Sequence, residues 1–513
     1  MGSSRSRTSR ALVGACCGVV ALGAWAGASA ASTPKASSAA PFVVANTSSV
    51  QKLDPDVVTN FLDFQALGLI YDTLVRFNSK LQVAPDLATS WKYSNDNKVL
   101  TLQLRKGVKF NDGTTFTSAN VVASLNRVQD PKTADASASF IASVKKVVPK
   151  GNYTVKLMLS RPDSSVLDGL TSINLAMLST KAISANTLSK TPDGTGPYRF
   201  SSWDPTNSFT VTANPSYWGG HAKLQTIEIK TIPSEQSIAS ALQAGSVQLG
   251  LLAQPQVATH LPSSFTVQKT LDLSYRALML QSKTGPLANV DNRLAMACAL
   301  NRRQVVQSAV LGQGKSVGPV PLGPYTSSSP SSVCPTPNLS KAKAYLKKAG
   351  NPSGFTFTAI TSTDLDATAA AQATAVQAQF KKVGINMSIQ NLAGNAYIQS
   401  WLKGKFQAAF ALNGADPNPF VMYGRYFGTG ANLAVPAGYS NKTLQKLMLK
   451  SNVASSVAAQ KSASSAVSKY LTSNAVWLWL FDGYDYAVSP SNVHGFQLPP
   501  NRQLQSLKNT TVS

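Results

Sequence analysis

An α/β fold is predicted by three features of this 513-residue chain. Runs with period-two apolar alternation recur along it, helical-period runs stand between them, and turn residues punctuate both. The clearest unit is VLTLQLRKGVKFNDGTTFTSANVVASLNRV, residues 99–128. Leu100, Leu102 and Leu104 alternate with Thr101, Gln103 and Arg105, as a half-buried strand requires. Val108 and Phe110 continue the alternation after Gly107. Asn111-Asp112-Gly113 is a turn, because Gly takes positive φ without a side-chain clash. Thr117 or Ser118 caps a helix whose Val121, Val122, Leu125 and Val128 share one face, and Asp130-Pro131 ends it.

The remaining elements follow in order. Strands are expected at 153–159, 198–201, 209–212, 227–232 and 247–251, with a rigid turn at 194–198 and a loop at 214–220. A short helix is expected at 237–244 and one long helix at 291–310. Residues 316–338 are rich in Pro and Ser and read as a connection. Then come a helix at 341–349 stopped by Gly350-Asn351-Pro352, a strand at 355–360, and a helix at 367–383 closed by Gly384. A strand at 385–389, a helix at 395–403 and a strand at 406–412 complete the alternation. Residues 444–471 read as helical and 476–481 as an apolar aromatic strand. No repeat of solenoid length is present.

Apolar residues make up 43% of the chain, enough for several packed cores, whereas charged residues make up only 13%. Arg5, Arg7 and Arg10 precede an uncharged, mostly apolar run over 11–31 that contains Ala28-Ser29-Ala30, the pattern of a secretory signal peptide cleaved near Ala30. A lipid anchor at Cys16 and an uncleaved anchor are the rival readings, and all three place the folded part outside the cytoplasm. Residues 31–40 form a small-residue tether. Net charge is +25, but the basic residues are scattered, without the aromatic-interleaved stripe that nucleic-acid binding needs. Beyond the leader the cysteines are Cys298 and Cys334, either a disulfide or two separately buried thiols.

Catalytic motifs are poorly supported. Residues 309–316 fit a relaxed phosphate-loop pattern and 314–318 fit G-x-S-x-G, yet a helix precedes both and Pro-rich sequence follows. His221, His260 and His494 show no paired-ligand spacing, and the only glutamates are Glu228 and Glu235.

From about Leu53 to Pro499 the chain resembles the extracytoplasmic solute-binding proteins of peptide and nickel ABC importers, family 5. The resemblance rests on IYDTLV (70–75), PDLATSW (85–91), LRKGVKFNDG (104–113), GTGPY (194–198) with NPSYWGG (214–220), NRLAMACALNR (292–302) and FKKVGI (380–385). It implies a bilobal, α/β periplasmic-binding-protein type II fold with a hinge and an extra α/β subdomain. Lobe I would comprise 41–70, 191–280 and 480–513, the subdomain 71–190, and lobe II 281–479, after a signal peptide at 1–30 and the tether. It further implies a monomer without cofactor, metal or nucleic-acid partner. Such a protein captures a small peptide or peptide-like solute between its lobes and delivers it to an ABC transporter permease.

Asn301, Gln248 and Gln407 stand where the family usually carries Asp. So does Asn413, at the position that pairs with a peptide's α-amine; it lacks the charge for that bond. Asp416, within the Asp-Pro of the same loop, is either its substitute or loop scaffold. The ligand-binding set expected from the resemblance is Asn413, Asp416 and Asn418 for polar contacts, with Trp401, Tyr423, Trp203 and Phe64 as walls. A non-peptide solute, a sensor of the same fold and, more remotely, an exported serine hydrolase are the alternatives.

Overall fold

The computed structural model of the chain describes residues 40–94, 96–135, 137–319, 333–414, 416–429, 431–454 and 457–513. The expected leader, nearly all of the tether and residues 320–332 of the Pro/Ser-rich connection lie outside the described residues.

A twelve-stranded sheet runs through the body. Its path is Asn386–Asn391, Thr356–Thr361, Ala408–Asn413, Tyr275–Leu280, Trp477–Pro490, Leu249–Leu252, Phe42–Asn46, Thr226–Thr231, Ser208–Ala213 and Tyr198–Asp204. Phe265–Leu271 and Gly314–Ser316 also pair with Trp477–Pro490. Fourteen residues long, Trp477–Pro490 is the strand the two lobes share. Its first half pairs with Tyr275–Leu280, which packs with the elements expected in lobe II although the sequence reading sets it at the end of lobe I, and its second half pairs with Phe265–Leu271 and Leu249–Leu252. The chain therefore crosses between lobes at Asp272-Leu273-Ser274 and again near Phe481–Tyr484.

Each lobe's part of the sheet is covered on both faces. In lobe II, Leu278, Leu280, Phe410, Leu478 and Leu480 point into one core, while Tyr275, Ala277, Met279, Ala409, Trp477 and Trp479 point into the other. This is period-two alternation between two apolar layers, which leaves no polar face. In lobe I, Val44, Val211, Ile227 and Ile229 face one core and Val43, Ala45 and Val488 the other.

A separate four-stranded antiparallel sheet carries the subdomain: Ala88–Tyr93, Val99–Leu104, Thr154–Leu159 and Val144–Pro149. Leu100, Leu102 and Leu104 are buried in its core. Thr117 caps the helix Ser118–Gln129 in a capping box with Asn120, and Gly113 takes φ +85° in the turn before it. Val121, Leu125 and Val128 of that helix are buried.

The single helix expected at 291–310 is two, Val290–Ala299 and Arg302–Val310. Asn301 breaks it: its side chain accepts from the Gln304 amide at 3.1 Å and caps the second helix, while its own amide donates to Gln379 at 2.6 Å. The helical run expected at 444–471 is likewise two helices, Lys442–Asn452 and Val457–Ser473. The strand expected at 476–481 continues to Pro490, and the strands at 265–271 and 275–280 had no clear sequence signal.

Cys298 and Cys334 form a disulfide that ties the helix Val290–Ala299 to the segment preceding Leu339–Lys348. It closes a loop across 36 residues of sequence. Replacing both cysteines by serine should lower stability by about 2–4 kcal/mol, read as a lower urea midpoint, because the unfolded chain regains that loop's entropy.

Where the subdomain meets lobe I, Asp54, Asp56 and Asp135 surround one guanidinium. Arg127 donates to Asp54 at 3.0 Å and pairs with Asp56. Asp135 accepts from the Ser137 amide, and its second oxygen is buried without a partner among the described residues. Burial pushes Asp56 up to about 7 and Asp135 up to about 8. The folded state therefore holds protons that the unfolded chain releases near pH 4, and the associated stability is lost as pH rises from about 4 to 8. The urea midpoint should fall between pH 5 and pH 8.5, and Asp135→Asn should flatten that slope.

Candidate functional site

A cavity of about 940 Å³, counted out to its mouth, lies where the two lobes, the subdomain and the hinge converge. Lobe I supplies Phe61, Phe64 and Gln65 from the helix Phe61–Leu67, which Asn60 caps by accepting from the Asp63 amide at 2.8 Å. The subdomain supplies Ser137, Phe140 and residues 171–174. The hinge supplies Asp272-Leu273-Ser274, and residues 500–503 close the floor. Lobe II supplies Gly414, Asp416, Val421, Met422 and Arg425.

Four groups set the electrostatics. Arg502 pairs with Asp272 on one hinge crossing and with Asp485 on the strand of the other, its Nε–Asp485 distance being 2.5 Å. Its guanidinium carbon also lies 4.7 Å from the centre of the Phe61 ring. Arg502 and Asp272 are thus committed to each other. Asp416 is different. One oxygen accepts from the Asn418 amide at 2.8 Å, and no cation reaches it within ion-pair distance among the described residues. Burial and the neighbouring Asp168 push its carboxyl well above the ordinary range. Arg425 donates to the Gly414 carbonyl at 2.6 Å. The chemistry on offer is therefore recognition: aromatic walls, amides, one unpaired carboxyl and guanidinium groups.

The sequence-predicted residues divide. Phe64 and Asp416 line the cavity. Asn413 is buried, accepting from the Tyr426 hydroxyl at 3.1 Å. Trp401 packs edge-on against Tyr426 in the lobe II core, and Tyr423 lies fully buried there against Trp479. Trp203 donates to the Val50 carbonyl at 2.9 Å and packs on the lobe I core. These four are held by packing away from the cavity because lobe II buries its aromatics in the layer beneath the helix Pro419–Phe427, and Trp203 covers the lobe I sheet. Asn418 caps that helix, accepting from the Phe420 amide at 2.9 Å, and donates to Asp168 of the subdomain at 3.0 Å.

That last bond belongs to a set that links the subdomain to lobe II. Ser164 donates to the Asn452 carbonyl from its amide and its hydroxyl, each at 2.8 Å, and the Ser165 amide donates to Asn452 Oδ1 at 3.3 Å. These bonds join the subdomain to lobe II. Sequence reading missed Arg425, Arg502, Phe140 and Asn174 at the cavity. For Arg425 a signal existed: Asn418-Pro419 is a helix start, and Arg425 shares a face with Val421 four residues earlier.

The family model "Bacterial extracellular solute-binding proteins, family 5 Middle" matches residues 82–433. The chain belongs to that family. Its glutathione-binding relative GsiB of Escherichia coli K12 is 29% identical over 380 residues, which cover 72% of this chain and 73% of GsiB. The ABC transporter-associated periplasmic binding protein DppA of Helicobacter pylori, solved with the peptide STSA, superposes with TM-score 0.80 at 25% identity over 92% of this chain and 98% of its own. The Pseudoalteromonas dipeptide-binding protein in complex with Met-Leu shares the fold, with TM-score 0.83 at 20% identity over 92% of this chain and 100% of its own. This family 5 protein has the type II periplasmic-binding-protein fold and is the extracytoplasmic substrate-binding component of an ABC importer. No helix among the described residues is long and apolar enough to cross a membrane.

Asn418→Asp keeps the helix cap but sets a second carboxylate against Asp168. Single-molecule energy transfer between subdomain and lobe II should show the open population rising about 3- to 10-fold, the effect of losing one such bond.

Proposed function

We propose that this protein captures a small peptide or peptide-like solute in the cavity and holds its amine on Asp416. The observation that carries this is the unpaired state of Asp416: of the carboxylates on the cavity wall, Asp272 is committed to Arg502 and Asp416 to no cation among the described residues. An ammonium group offers the charge that this carboxyl lacks. Phe61, Phe64 and Phe140 offer apolar walls, and Gln65 and Asn174 offer amides to a peptide backbone. The family's binding of peptides and of glutathione, as named for DppA and GsiB, supports the class.

The chain acts as a monomer in this reading, exported by the leader and cleaved near Ala30 rather than lipidated at Cys16. It makes and breaks no covalent bond. Ser316, the nucleophile of the hydrolase alternative, sits in the strand Gly314–Ser316 paired to Trp477–Pro490, where a nucleophile elbow would need a sharp strand-to-helix turn. Solute touching both lobes stabilises the closed form by its differential affinity, and the closed form docks on the permease.

Native mass spectrometry against a library of di- to pentapeptides tests the reading. Peptides with a free amine should bind, N-acetylated ones should bind weakly, and Asp416→Asn should cost about 10- to 100-fold in affinity for the free amines alone. Affinity should fall on acidification through the Asp416 pKa, because only the ionised carboxylate pairs with ammonium. Equal binding of acetylated and free peptides would contradict the assignment, and a co-purifying oligosaccharide or metal chelate would replace it.

A further inference from the structure

Lobe II is strongly asymmetric in charge. Residues 281–479 contain nineteen lysines and arginines against four aspartates and no glutamate. Three of those aspartates lie toward the hinge and cavity: Asp366 pairs with Arg276, Asp364 accepts from the Gly394 amide at 2.8 Å, and Asp416 lines the cavity. The fourth, Asp291, pairs with Lys348 at 3.0 Å. Strand register defines the opposite end of the lobe II sheet, where Leu280 lies beside Ala408, Met279 beside Trp477 and Thr356 beside Asn386. Around that end stand Lys283, just after the strand Tyr275–Leu280, then Lys381 and Lys382 at the end of the helix Ala369–Lys381, and Lys403 and Lys405 between the helix Gly394–Leu402 and the strand Ala408–Asn413. All five are exposed, and none has a carboxylate within ion-pair distance among the described residues. The Gln281 and Ser282 amides donate to the Gln407 and Gly438 carbonyls at 2.9 Å each, which ties these connections into one surface.

Apolar side chains stand among the lysines. Leu402 is 44% exposed, Val435 52%, and Ile398, one turn before Leu402 on the same helix face, 39%. Val435 packs at Gly404, where a Cβ would come within 3.0 Å of its Cγ1. Lysine in the last turn of a helix suits the macrodipole. That does not account for Lys283, which follows a strand, or for the leucine and valine left facing water. A soluble polyanion would satisfy the lysines and leave those side chains wet. A bilayer containing anionic phospholipid satisfies both, with phosphates for the ammonium groups and the acyl boundary for the apolar ones.

We propose that this tip of lobe II is a docking surface for anionic phospholipid membrane. It lies wholly on one lobe, at the end remote from the hinge, so rotation of the lobes leaves it intact and its use does not depend on what the cavity holds. Exposed lysines with a few apolar side chains give reversible, salt-sensitive attachment. Such contact keeps the protein at the bilayer while the cavity stays free to exchange solute.

Sedimentation with vesicles tests this, using the mature chain, residues 31–513, so that the apolar leader contributes nothing. At low salt the protein should sediment with vesicles of equal parts phosphatidylglycerol and phosphatidylcholine and not with phosphatidylcholine alone, and added salt should release it. Combining Lys381→Gln, Lys382→Gln, Lys403→Gln and Lys405→Gln should weaken binding about fivefold per lysine. Combining Lys92→Gln, Lys145→Gln, Lys146→Gln and Lys150→Gln, which removes the same charge from exposed positions of the subdomain, should weaken it far less. Leu402→Ser with Val435→Ser should weaken vesicle binding about 3- to 30-fold and leave binding to soluble polyphosphate unchanged. Unchanged thermal melting shows that each variant folds. Absence of binding to the phosphatidylglycerol vesicles overturns the proposal. So does equal loss from the two lysine sets, which would make the attraction a property of the whole basic chain. Vesicle binding indifferent to the Leu402 and Val435 changes would make the tip a polyanion site and overturn the membrane assignment.

Discussion

One guanidinium holds the two hinge crossings together. Arg502 reaches Asp272 on the outgoing connection and Asp485 on the returning strand, and lines the cavity. Its backbone sits at φ +59°, a left-handed conformation that costs a non-glycine residue about 1 kcal/mol or more. The conformation persists because its surroundings over-determine it: Gln65 donates to its carbonyl at 2.8 Å and Phe61 stacks beneath its side chain. Removing the guanidinium would leave two carboxylates in a poorly solvated site without their cation, a change of the kind that costs about 3–5 kcal/mol. The same atoms that fix the hinge therefore shape the floor on which a solute rests.

Beside this pin the hinge carries a second ionic layer. Arg276 pairs with Asp366 at 3.0 Å, and Gly483 lies so close that a side chain there would meet the Arg276 guanidinium at 2.6 Å. Burial and the nearby Asp272 push Asp482 up. Rotation about the hinge can thus occur at a few backbone positions while the ion pairs on either side stay with their own lobes. On the opposite side of the cavity, the contacts of Asn418 and Asn452 with the subdomain are neutral or singly charged hydrogen bonds. Bonds of that kind contribute roughly 0.5–3 kcal/mol each, small enough to break and remake as solute comes and goes. The design places strong, buried pairs at the pivot and weak, reversible ones at the rim.

Much of the architecture was legible because half-buried strands advertise their period. Leu100, Leu102 and Leu104, and the cap at Thr117, were read directly. The hinge strands were not. Tyr275–Leu280 is buried on both faces and so shows no alternation, whereas in the half-exposed strand Phe265–Leu271 the alternation of Phe265, Val267 and Leu271 is interrupted by Lys269. The site was less legible than the fold. Aromatic residues look alike whether they line a cleft or fill a core, and Trp401 and Tyr423 fill the core of lobe II. Arg425 and Arg502 stand far apart in sequence, and no local pattern announces that folding brings both to one cavity with Asp416. The break at Asn301 was missed because helical periodicity continues through it, although Asn is a favoured cap.

Capture and release of solute depend on a body that opens and shuts about that hinge. Small-angle scattering of the purified protein, stripped of solute and then saturated with it, measures this most directly. A radius of gyration that falls on saturation is the predicted result. Identical profiles in the two states, with solute shown to be bound, would contradict it.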